Sequence, residues 1–75
     1  MSEADNQAIK DPFKLGVLSA LVVMGKALRA SETVNTEAVM GDVLRTISTL
    51  PSGDKPLDEQ DEHTLALRWL LAGLR

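Results

Sequence analysis

The chain is 75 residues long and contains no cysteine, so disulfide staples, thiolate zinc sites and cysteine nucleophiles are excluded. Its 11 acidic against 8 basic residues give a formal net charge of −3. The basic residues Lys10, Lys14, Lys26, Arg29, Arg45, Lys55, Arg68 and Arg75 are scattered along the chain, which argues against a nucleic-acid surface. Apolar residues make up 44% and charged residues 25%, enough to build one small core and too much for wholesale disorder.

The first ten residues are polar around one isolated Ile9 and read as a flexible arm over residues 1–11. Their acidic start, Ser2-Glu3-Ala4-Asp5, has the wrong sign for a secretory signal. Asp11-Pro12 is a helix start. The Asp11 carboxylate can accept orphan amides, and Pro12 has no N–H to lose in the first turn. Phe13, Val17, Leu21, Met24 and Leu28 then recur at helical spacing, predicting a helix over about 12–30. The longest uncharged run, Leu15 to Gly25, falls short of the roughly 20 residues that cross a bilayer.

A second helix is expected over about 35–50, opened by Asn35-Thr36 and lined by Val39, Val43, Ile47 and Leu50. Gly41 and the β-branched residues lower its intrinsic propensity, so packing must hold it. Pro51-Ser52-Gly53 stops it. A third helix is expected over about 58–74. The carboxylates of Asp58, Glu59, Asp61 and Glu62 suit its positive end, and Leu67, Leu70, Leu71 and Leu74 form one strip. The expected fold is an all-α, three-helix domain over residues 12–75 that belongs to a homodimeric or hetero-oligomeric helical assembly.

That assembly is inferred from surplus apolar surface. The first helix carries a second stripe, Leu15, Leu18 and Val22, opposite the first, and the third carries Leu65, Trp69 and Ala72 away from its leucine strip. A helix that is apolar all round must be covered all round. One cover is a central place in the three-helix fold; the other is a second chain. A domain below about 70–80 residues rarely draws more than about 3–5 kcal/mol from its own core. Small residues on the first helix (Gly16, Ser19, Ala20, Gly25) could admit a close neighbour. The residues expected to contact a protein partner are therefore Leu15, Leu18, Val22, Leu65 and Trp69, with Trp69 foremost because tryptophan concentrates binding energy at interfaces.

Motifs for chemistry are thin. His63 is the one histidine, and Glu59 four residues earlier could share a metal with it, but a single imidazole with carboxylates is a poor ligand set. The acidic run 58–62 lacks the spacing of a calcium loop. No glycine-rich phosphate loop occurs, and no serine or threonine has a base nearby in sequence. Acyl carrier proteins share the size, acidity and helical class, but their Asp-Ser-Leu attachment motif does not occur here. No catalytic residue, metal or cofactor is expected. The expectation is a cytoplasmic, non-enzymatic interaction module of bacterial or phage type, a stoichiometric regulator or inhibitor of a protein partner that also self-associates. The alternatives are an accessory subunit of a larger enzyme, or a small nucleic-acid-binding or DNA-mimicking regulator.

Overall fold

The computed structural model describes residues 2–75, and among them every regular element is helical. Four α-helices occur: α1 (Glu3–Lys10), α2 (Pro12–Ala30), α3 (Thr36–Thr49) and α4 (Leu65–Leu74). Two single 3-10 turns, Leu57–Glu59 and Glu62–Thr64, lead into α4.

The arm expected over residues 1–11 is a helix, which makes four helices where three were expected. Met1 lies outside the described residues. Ser2 opens α1 with a capping box: its hydroxyl accepts from the Asp5 amide, and the Asp5 carboxylate accepts from the Ser2 amide. The helix is too short to persist alone. Its Ala4 and Ala8 are buried against Leu18 and Leu65, so tertiary packing holds it. Asp11 serves two helices at once. It ends α1, and its Oδ1 accepts from the Phe13 and Lys14 amides to begin α2 at 3.0 and 3.2 Å.

Helices α2 and α4 make the most extensive contact in the fold and run in the same direction. Lys14 pairs with Glu62 at one end, while Gly25 meets Gly73 at the other. Two glycines set this crossing. A Cβ on Gly25 would lie 2.7 Å from the Leu70 carbonyl oxygen, and one on Gly73 would strike that of Val22. The backbones therefore touch where side chains would hold them apart. Helix α3 supplies the return between the two parallel helices and packs on α4, burying Val43 and Ile47 against Leu71 and Leu74. The result is a thin slab, with principal extents of 35 × 28 × 15 Å and two small cores instead of one.

Helix α4, expected from about residue 58, begins at Leu65. Side-chain hydrogen bonds hold the backbone extended at Gln60 and Asp61, between the two 3-10 turns. Gln60 Nε2 donates to the carbonyls of Gly53 and Lys55 at 3.3 and 2.8 Å, and Asp61 accepts from the His63 amide at 2.9 Å. Short polar side chains that bond their own backbone compete with helix in this way.

Candidate interaction surface

The five residues expected to meet a partner fall largely inside the fold. Leu18 and Leu65 are buried in the first core with Ala4 and Ala8. Leu15, Val22 and Trp69 are half-buried, and Trp69 packs on that same core. These five side chains therefore pack within the chain itself. A face lined by glycine comes closest to its neighbour, and Gly25 follows Leu18 and Val22 at helical spacing, so that stripe faces α4.

Of the other stripe of α2, Leu21 and Leu28 are half-buried against the two cores, while Phe13, Val17 and Met24 face outward with Val23. Phe13 is 79% exposed, Val23 65%, Met24 57% and Val17 45%. Gly16, Ala20, Ala27 and Ala30 lie exposed between them. A Cβ on Gly16 would meet nothing within 4 Å. At 3.6 residues per turn these positions share one side of the helix, an arc of about 140°. That arc runs about 21 Å from Phe13 to Ala27 at 1.5 Å per residue. No charged residue interrupts it, because Lys14, Lys26 and Arg29 lie at other helical phases. Beside it a groove of about 250 Å³ is lined by Phe13, Lys14, Val17, Leu18, Glu62, Leu65 and Ala66. Periodicity groups Phe13, Val17 and Met24 with Leu21 and Leu28, of which only the two leucines pack on a core. The pattern that could have placed them outside is the glycine on the opposite side.

Trp69 is engaged in a second feature that the sequence did not reveal, a buried polar network joining α1 to α4. The Trp69 indole N–H donates to Asp5 Oδ1 at 2.6 Å, and Arg68 Nη1 donates to Asp5 Oδ2 at 2.5 Å. The Ser2 hydroxyl donates to the same carboxylate. Arg68 goes on to donate to the Thr64 hydroxyl at 3.0 Å and the Asp61 carbonyl at 2.9 Å. Thr64 donates to Gln60 Oε1 at 2.6 Å. Arg68 and Asp5 side chains are each 9% exposed, and among the described residues no buried side-chain nitrogen or oxygen lacks a partner. Burial pushes the Asp5 carboxyl upward, but hydrogen bonds from Ser2, Arg68 and Trp69 and the Arg68 charge outweigh it, holding Asp5 below its ordinary 3.8. Every polar group here is spent on another, so the arrangement locks α1 in place instead of presenting reactive groups.

The acidic run is exposed. His63 Nδ1 pairs with Asp61 Oδ1 at 2.8 Å, not with Glu59. Asp61 also accepts from the Ser52 hydroxyl at 2.9 Å. The His63 amide, then the His63 ring and Ser52, hold the Asp61 carboxyl down to about 2. Among the described residues no three histidines, cysteines or carboxylates converge on one point, and no helix is long and apolar enough to cross a membrane. Compared with known families, curated proteins and solved structures, the chain matches none.

Proposed function

We propose that this chain is a non-catalytic protein–protein interaction module, a stoichiometric regulator or inhibitor that works through the outer face of α2. One observation carries the reading: an uncharged apolar strip with Phe13 79% exposed, in a chain whose own helices leave it uncovered. Contiguous apolar surface rimmed by polar residues marks interaction sites. The groups best suited to chemistry are already paired, Asp5 with Arg68 and His63 with Asp61, which favours binding over catalysis. The strip takes an apolar helix in the manner of helix-in-groove recognition, read at spacings of three and four residues.

The test is a photo-crosslinking side chain at Met24, with the same probe at exposed Asp54 as control, in cells that make the protein. A discrete adduct specific to the Met24 probe is the expected result. Absence of any protein adduct from Met24, with the chain folded, overturns the reading.

A further inference from the structure

We propose that the outer face of α2 pairs with the same face of a second copy of this chain, antiparallel about a two-fold axis at Ala20. This rests on the reading of that face as an interaction surface and names its occupant.

The spacing is the first argument. Phe13, Ala20 and Ala27 lie seven residues apart, as do Gly16, Val23 and Ala30, and as do Val17 and Met24. A seven-residue apolar repeat keeps one helix seam against another. All these residues are solvent-exposed within a continuous helix, so the seam is open along its whole length.

Size complementarity is the second argument, and it selects the antiparallel register. Around an axis at Ala20, Phe13 of one copy stands opposite Ala27 of the other. Met24 stands opposite Gly16, and Val17 opposite Val23. Each large side chain meets a small one and each medium one meets its equal, the interdigitation that close helix packing needs. A parallel pair would instead set Phe13 against Phe13 and Gly16 against Gly16, leaving a clash at one level and a gap at the next. In the antiparallel register Met24 also reaches toward the groove lined by Phe13, Val17, Leu18 and Leu65 of the other copy. Met24 is unbranched and suited to filling such a gap.

Charge and area agree. The seam holds no charge, so self-apposition sets no like charges face to face, and antiparallel dipoles attract. The accessible surface is 4899 Å². A monomer of this mass is expected to expose about 4,500 Å². Covering an excess of about 400 Å² on each of two copies gives an interface below about 1,200 Å², the size class of weak, reversible association.

The chain has no cysteine, so cysteine pairs report the register directly. Sedimentation equilibrium of the full chain should show the mass doubling with concentration. Ala20→Glu should raise the dimer dissociation constant by more than about tenfold while helicity by circular dichroism stays unchanged, because Ala20 is exposed. Under oxidation an equal mixture of Val17→Cys and Val23→Cys chains should form the mixed disulfide far faster than either alone forms its own. Equal rates, or preferred Val17–Val17 linkage, overturn the antiparallel pair. A chain that stays monomeric at every concentration overturns self-pairing. If its Met24 probe then still joins one fixed foreign protein, the interaction-module reading stands; if it joins nothing, that reading falls too.

Discussion

The two faces of α2 are nearly equal in hydrophobicity and opposite in fate. Leu18, 4% exposed, closes the core against Leu65, while Phe13, one and a half turns earlier, is 79% exposed. Greasiness alone therefore does not decide which side of a helix is inside. What differs is backbone clearance. The inner face carries Gly25 where Gly73 of α4 arrives, so the two helices approach until carbonyl and α-carbon touch. The outer face carries Phe13 and Met24, which would hold α4 away.

The sharpest way to break this contrast is one charge placed on either face. Leu18→Glu should unfold the chain outright, since it buries an unpaired carboxylate in the first core. Val23→Glu, on the outer face, should change monomer stability by no more than about 0.5 kcal/mol. Urea denaturation of the two variants separates them, and equal loss in both would show that the outer face is not open.

Next in size is the polar lock. Arg68→Ala leaves the Asp5 carboxylate buried without its cation, and should cost about 3–5 kcal/mol in thermal or urea unfolding. Removal of the helix α1 hydrogen-exchange protection should accompany it. Gly73→Ala pushes a methyl group into the Val22 carbonyl and should cost about 1–3 kcal/mol, with Gly16→Ala on the outer face neutral or slightly stabilising because helix propensity rises and nothing is struck.

The smallest effect is in acid. Asp5 and Asp61 both bind their protons less readily when folded than at the ordinary 3.8. Their ionised forms therefore stabilise the native state above about pH 3.8, and that contribution is lost as pH falls from there toward about 2. Stability should be flat above that window and decline within it. Asp5→Asn should flatten the decline while lowering stability at neutral pH, as read from urea midpoints across pH.

Much of the secondary structure was legible in the chain. Asp11-Pro12 marked the start of α2 to the residue, and Pro51 followed the end of α3 closely. Helix α1 was missed because its stripe consists of Ala4 and Ala8, too small to register as a periodic apolar face, and its capping residue Asp5 earns its place through Arg68, 63 residues away. The start of α4 was placed too early because Gln60 looks like an ordinary helix former until Gly53 and Lys55 offer it their carbonyls.

The sequence by itself determined that the protein is helical, that it has no cysteine chemistry, and that α2 is apolar on more sides than one neighbour can cover, because these follow from composition and from local periodicity. Only the tertiary structure decided which of the two stripes is left open. That choice depends on where two glycines far apart in the chain meet, and a contact between Gly25 and Gly73 has no signature within either helix taken alone.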